Sequence, residues 1–271
     1  MRVPDMDLEL RSKLAVITGG SRGIGKAAAW QLAREGADVA LVARDRSALQ
    51  SAAADIASGT GQRVAAFPAD TGDDASVRAM IAEVMSAFGR IDILVNCAAQ
   101  PGGQAKPPSL AEVTTEALWA DVNVKVMGYL RTAREAAPHM KAQGSGRIIN
   151  VSGLAARSTG TIIGSVRNVS VAALTKNIAD ELGPSGITAV CIHPGLTRTE
   201  KTAGVIESRS KALGLPSEQV ERRMGSSNLT GRLITAEDVA HVIAFLASPK
   251  SVAVNGDVIA AGGGVPGAIH Y

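Results

Sequence analysis

The sequence predicts an α/β fold, a single domain wound on both faces of a parallel sheet of about seven strands. Three observations predict it. Short, uniformly apolar runs alternate with helical patterns roughly every 25 residues, the rhythm of strand, crossover and strand. Hydrophobic residues make up 46% of the 271-residue chain, enough to form a sizeable core without disulfide or metal staples. Four glycines, Gly19, Gly20, Gly23 and Gly25, stand where the first apolar run meets the first helical pattern. α/β proteins of this length commonly form around one sheet, so residues 1–271 are read as one domain.

The strands are expected at 14–17, 39–43, 64–67, 91–95, 147–151, 187–192 and 258–261, short apolar runs of the kind a parallel sheet buries on both faces. Helices fall between them, the first at 24–34. Asp45 and Asp73 read as N-caps, since a short carboxylate accepts from the amides that a first turn leaves open. Gly183 and Pro184 stop the helix before them. One long stretch, 196–230, falls outside the alternation and mixes charges with Leu213, Leu215 and Met224. An insertion after a strand's carboxyl end is where a lid belongs. Its six basic residues against four acidic ones give a small positive excess, the mark either of a solvated face or of a site that greets an acidic substrate such as an acyl thioester.

The segment Thr18-Gly19-Gly20-Ser21-Arg22-Gly23-Ile24-Gly25 carries chemistry. Gly19 supplies a tight turn, Gly23 lets the backbone approach a pyrophosphate, and Gly25 lets the next helix pack close to the sheet. That helix aims open amides and the positive end of its dipole at an anion. The loop is read as the phosphate cradle of a Rossmann-type nucleotide-binding domain.

These residues resemble the nucleotide fingerprint of the short-chain dehydrogenase/reductases, and the resemblance runs through most of the chain. Asp70 stands where that family places an adenine-contacting aspartate. Leu94-Val95-Asn96-Cys97-Ala98-Ala99 resembles its Asn-Asn-Ala-Gly segment, with Cys97 and Ala99 as departures. Asn123 matches its helix asparagine, and the run from Gly146 to Ser152 matches its fifth strand. His193-Pro194-Gly195-Leu196-Thr197-Arg198-Thr199 resembles its Pro-Gly turn and nicotinamide-contacting threonine. The resemblance implies a cofactor site built from Gly19, Ser21, Arg22, Gly23, Ile24, Gly25, Arg44, Asp70, Asn96, Pro194, Gly195 and Thr199. It also implies a homo-oligomer, dimer or tetramer, paired through the helices that contain Asn123 and Leu174.

Two arginines select the cofactor. An NAD site carries an acidic residue at the end of the second strand, where it accepts from the ribose 2′-hydroxyl. Here Ala43 and Arg44 stand there, and a guanidinium holds a 2′-phosphate through charge-assisted bonds. Arg22, in the glycine loop, closes on the same phosphate. NADP(H) is the expected cofactor.

The catalytic places depart from the family. Its tyrosine and lysine, spaced Tyr-x-x-x-Lys on the helix after the fifth strand, fall here at Gly164 and Asn168. Between 153 and 175 there is neither a tyrosine nor a lysine, and the chain's only tyrosines are Tyr129 and Tyr271. The serine place falls at Gly153, with Ser152 just before it. A positioned general acid is worth about 10²–10⁴-fold, so a fast enzyme needs a replacement. His193, at the end of the sixth strand, titrates near neutrality and is the candidate acid, with Asn123 and Ser152 as the other candidate catalytic residues. Tyr271 would have to fold back or reach across an oligomer. Arg167 stabilises charge but does not give up a proton.

Composition excludes other classes. The net charge is +3 and aromatics are 3%, too few for the stacking platform of a nucleic-acid binder. Cys97 and Cys191 are far apart with no metal-ligand spacing, which suits a reducing cytoplasm and predicts no metal. No apolar stretch approaches spanning length, so no membrane partner is expected. Two readings follow. One is an NADP(H)-dependent oxidoreductase acting on a small carbonyl or alcohol with a non-standard proton donor. The other is a catalytically silent NADP(H)-binding protein acting as sensor, scaffold or oligomer partner.

Overall fold

A computed structural model describes residues 6–100 and 107–269. Three of the central apolar runs become strands buried along their whole length, β1 (Leu14–Thr18), β4 (Ile93–Asn96) and β6 (Ile187–Pro194). Around them the chain runs α1 (Gly23–Arg34), β2 (Asp38–Ala43), α2 (Arg46–Thr60), β3 (Val64–Pro68) and α3 (Asp74–Phe88) before β4. After β4 come α4 (Thr115–Val122), a π turn (Asn123–Met127), α5 (Gly128–Gln143), β5 (Gly146–Val151) and α6 (Ile162–Leu182), which leads into β6. The remainder is β7 (Thr197–Arg198), α7 (Thr202–Leu213), α8 (Ser217–Gly225), β8 (Ile234–Thr235), α9 (Ala236–Ala247) and β9 (Val258–Ala261).

Seven strands form one parallel sheet, as the sequence predicts, and its order is β3-β2-β1-β4-β5-β6-β9. From β1 the chain first winds towards β3, then crosses back to β4. Between β1 and β4 the direction reverses, and at such a switch point a crevice opens beyond the carboxyl ends of the strands. Register brings Thr18 opposite Val42 and Asn96, Asn96 opposite Asn150, and Asn150 opposite Cys191, so those ends share one edge.

Two apolar layers clamp the sheet. Ile17, Leu41 and Val95 face Leu32, Ile56 and Ile243 of α1, α2 and α9. Val16, Leu94 and Ile148 face Val84, Met140 and Leu182 of α3, α5 and α6. Truncating a fully buried leucine such as Leu32 to alanine costs about 2–5 kcal/mol. Asp45 and Asp73 cap α2 and α3 by accepting from Ala48 and Ser76 N–H, and α6 ends at Leu182 just before Gly183 and Pro184.

The structure departs from the sequence expectation at three places. β4 begins at Ile93 instead of 91, because Asp92 turns its carboxylate onto Leu14 N–H at 2.9 Å and onto Arg90. The helix after β4 is broken by its π turn. The 196–230 stretch is two helices, flanked by a two-stranded sheet of β7 and β8 and packed on a small cluster of Ile206, Val220, Met224 and Leu233; Leu213 stays exposed.

Candidate functional site

The glycine loop leaves β1 as a turn that side chains would block. Gly19 has φ 68°, and a Cβ there would lie 3.0 Å from the backbone of Cys97 and Ala98. A Cβ on Gly25 would lie 2.4 Å from the Gly19 carbonyl oxygen, so α1 approaches the turn only as glycine. Thr18 Oγ1 accepts from Cys97 and Ala98 N–H at 3.1 and 3.2 Å, which ties the end of β1 to the end of β4. At the first turn of α1 the amide of Gly23 donates to both carboxylate oxygens of Glu200, at 3.2 and 3.0 Å. An anion therefore already sits on the open end of this helix, as its dipole favours. Ser21 and Ile24 are half-buried in the same turn.

Arg22 precedes α1 with its backbone extended and its side chain exposed; Arg44 is exposed directly after β2. Gly20 N–H donates to Val42 O at 3.2 Å, so the glycine loop lies against the end of β2. Asp70 is exposed beyond β3, where its Oδ1 accepts from Gly72 N–H at 2.8 Å.

Asn96 is fully buried in a polar chain that crosses the sheet. Thr132 Oγ1 donates to Asn96 Oδ1 at 2.8 Å, Asn96 Nδ2 to Asn150 Oδ1 at 2.9 Å, and Asn150 Nδ2 to Thr175 Oγ1 at 3.0 Å. α5, β4, β5 and α6 are thereby locked together below the crevice, every member satisfied.

At the end of β5 the structure brings together Ser152 and Asn168, and it leaves Asn123 elsewhere. Ser152 Oγ donates to Asn168 O at 2.9 Å and lies 3.3 Å from its Oδ1. Gly164 and Asn168 are both buried, four residues and so one turn apart on α6. A Cβ on Gly153 would meet Asn168 Nδ2 at 3.1 Å. Asn123 turns towards the β3–α3 loop: its Nδ2 donates to Gly72 O at 3.1 Å, and its Oδ1 accepts from Arg131 at 2.9 Å. His193 is 2% exposed in β6, its Nδ1 3.8 Å from Cys191 Sγ. Pro194 ends β6, Gly195 packs against Gly262, and Thr199 N–H donates to Thr202 Oγ1 at 2.8 Å. Tyr129, buried on α5, donates to Val151 O at 2.9 Å, and Tyr271 lies outside the described residues.

One residue at the site was missed by sequence reasoning. Lys125, in the middle of the π turn, is 4% exposed and donates from Nζ to Ser152 O at 2.9 Å. Burial, and then the Arg167 guanidinium, push its ammonium down to about 7, with Asp121 pulling the other way. Arg167 pairs with Asp121 at 2.6 Å, and its Nε is buried without a partner among the described residues. Burial also raises the thiols of Cys97, to about 12, and Cys191, to about 11. Both stay protonated at neutral pH, which removes Cys97 from thiolate chemistry. The signal for Lys125 was in the sequence, a lysine set into the apolar run Val124-Lys125-Val126-Met127.

Residues 19–266 match the family model described as enoyl-(acyl carrier protein) reductase. The chain belongs to the short-chain dehydrogenase/reductase family. It is 32% identical over 257 residues to the short-chain reductase protein NovJ of Streptomyces niveus, covering 94% of this chain and 95% of that one. It is 33% identical to the cyclohexanol dehydrogenase of Rhodococcus sp. strain TK6, over 96% and 98% of the two chains. Among solved structures, L-sorbose reductase of Gluconobacter frateurii in complex with NADPH and L-sorbose superposes with a TM-score of 0.91 at 30% identity, over 97% of this chain and all of that one. The family is one of oxidoreductases, and the reaction class comes with membership.

Proposed function

We propose that the protein is an NADP(H)-dependent oxidoreductase of small carbonyl or alcohol substrates, with its proton handled by a residue outside the Gly164 and Asn168 places. The observation that carries the cofactor is the pair of exposed arginines, Arg22 and Arg44, at the adjoining ends of β1 and β2, where arginine and not a carboxylate comes directly after Ala43 and Asp45 is taken up capping α2. The fit of the phosphates rests on the glycine cradle, too tight for any Cβ at Gly25, and on Gly23 N–H, which already holds a carboxylate. When bound, the cofactor supplies or accepts the hydride. The chain's own residues do the rest: the glycine loop binds phosphate, Arg22 and Arg44 select the 2′-phosphate, and Asp70, Asn96, Pro194, Gly195 and Thr199 shape the rest of the cleft. The helices of 196–230 close it as a lid. Arg44→Asp is expected to weaken NADPH binding at least tenfold more than NADH binding, a factor that matches the roughly 1.5–3 kcal/mol of a charge-assisted bond. Equal losses in fluorescence titrations contradict the assignment.

A second reading, a catalytically silent NADP(H)-binding protein, is favoured by Gly153, Gly164 and Asn168 standing together in the site. Turnover of NADPH with any carbonyl separates the two. Oligomerisation as a dimer or tetramer is supported by the exposed Trp119 and Met127 on and after α4 and by Ile162, Val166 and Val169 on α6. Sedimentation as a monomer at working concentration contradicts it. Among the described residues no helix is long and apolar enough to cross a membrane, and no group of side chains could hold a metal.

A further inference from the structure

We propose that Lys125 is the proton donor to the substrate oxygen, brought to the end of β5 by the π turn and replacing the acid that α6 lacks. The inference rests on the oxidoreductase reading above and names a residue for it.

Three observations carry it. The first is position. Lys125 Nζ reaches Ser152 O at 2.9 Å, at the carboxyl end of β5, the edge beyond which a doubly wound sheet places its reacting ligand. The second is chemistry without a structural need. The Ser152 carbonyl requires one neutral donor, yet it receives an ammonium that is 4% exposed and makes no ion pair within 4.0 Å among the described residues. Burying such a charge is costly, and a methionine would fill the space at less cost. The third is exchange of places. Asn168 occupies the lysine place on α6 and engages the hydroxyl of Ser152, while Lys125 engages the carbonyl of the same residue from the opposite helix. The π turn makes this reach, since its extra residue resets the face of the helix, and such turns recur at functional sites.

The groups around the amine suit it to exchange. Arg167 on α6 opposes its charge, Asp121 on α4 is taken up by Arg167, and the Cys97 and Cys191 thiols are neutral, with His193 beyond Cys191 on β6. An amine that titrates near neutrality is the efficient acid at neutral pH. In reduction, NADPH would supply a hydride, its C–H bond breaking as a C–H bond forms on the carbonyl carbon and leaving the oxidised nicotinamide, while the C=O π pair moves to oxygen, which takes a proton from Lys125 Nζ. The neutral amine recovers its proton from water.

The test has two parts. Wild-type protein without cofactor is treated with formaldehyde and cyanoborohydride at pH 7 and its lysines are followed by mass spectrometry. Lys125 is expected to be methylated at least as fast as exposed Lys211, because about half of it is neutral at pH 7 while the Glu207 carboxylate holds Lys211 charged; Lys125 left unmodified after Lys211 has reacted overturns the proposal. Then Lys125→Met and Lys125→Arg are assayed with NADPH and a panel of ketones, keto-esters and acyl thioesters. Both are expected to bind NADPH within twofold of wild type and to lose about 10²–10⁴-fold in turnover, together with the fall in rate as pH rises through 7. Rescue by arginine, which keeps the charge and gives up no proton, overturns the donor role. A pH limb kept in Lys125→Met and lost in His193→Gln moves the role to His193. A wild type that labels at Lys125 and binds NADPH but turns over nothing in the panel overturns the oxidoreductase reading, and the donor role with it; a wild type that turns over while Lys125→Met matches it overturns this inference alone.

Discussion

A methyl group on Gly25 would stand 2.4 Å from the Gly19 carbonyl oxygen, backbone that has no room to yield. Gly25→Ala is therefore expected to destabilise the protein by about 1–3 kcal/mol, the usual toll of overpacking, and to weaken NADPH binding by moving the end of α1. Thermal melts and fluorescence titration check both, and an unchanged protein contradicts the close approach. The need for this glycine was legible in the sequence because the turn is local and its spacing carries the geometry. Asn123 was legible as a motif residue but not as a contact: its match lay in four residues of sequence, while its partners Gly72 and Arg131 are set by tertiary packing. Lys125 lies two residues further on, and only the π turn decides that it faces Ser152.

At the scale of elements, the segment that opens at β7 reaches back over 177 residues to hold α1 through Glu200 and Gly23. Its carboxylate uses the donor that the phosphate of the proposed cofactor would need, so phosphate and this segment would compete for one amide. Glu200→Gln is expected to tighten NADPH binding by about fivefold, the worth of roughly 1 kcal/mol at an exposed charge; weaker binding contradicts the competition. The other charges of 196–230 are partly spent within the segment, where Arg198 pairs with Glu221 at 2.9 Å and Lys211 with Glu207 at 2.8 Å. A charge count along 196–230 could not separate these from Glu200, because the sum carries no information about partners far along the chain. Strand positions were legible within one or two residues, since burial on both faces demands apolar runs, and β4 moved only where the Asp92 side chain intervened. β7 and β8, two residues each, are too short to leave a pattern.

For the whole molecule, the acid limb of stability follows from the junction of α3 and α5. Arg134 and Arg131 hold the Asp74 carboxyl at about 2, below its ordinary 3.8, with Arg131 Nε at 2.7 Å. A carboxylate with a depressed folded-state pKa contributes fully above its unfolded value and loses that contribution as pH falls through the folded one. Stability is thus expected to drop between about pH 4 and 2, and Asp74→Asn, melted across that range, is expected to show a shallower drop; parallel curves contradict the pairing. The parallel sheet was legible because it follows from alternation and crossover handedness, while its order, with the reversal between β1 and β4, came from the structure. The proton donor was not, because it depends on which helix delivers an amine to one carbonyl. Whether the protein binds NADPH and passes on its hydride is decided by NADPH fluorescence, recorded on mixing with excess protein and again on adding the carbonyl panel. An immediate change followed by a panel-dependent decay is the predicted result. No change at any protein excess contradicts NADPH binding itself, and a change without decay leaves a binding protein where an oxidoreductase is predicted.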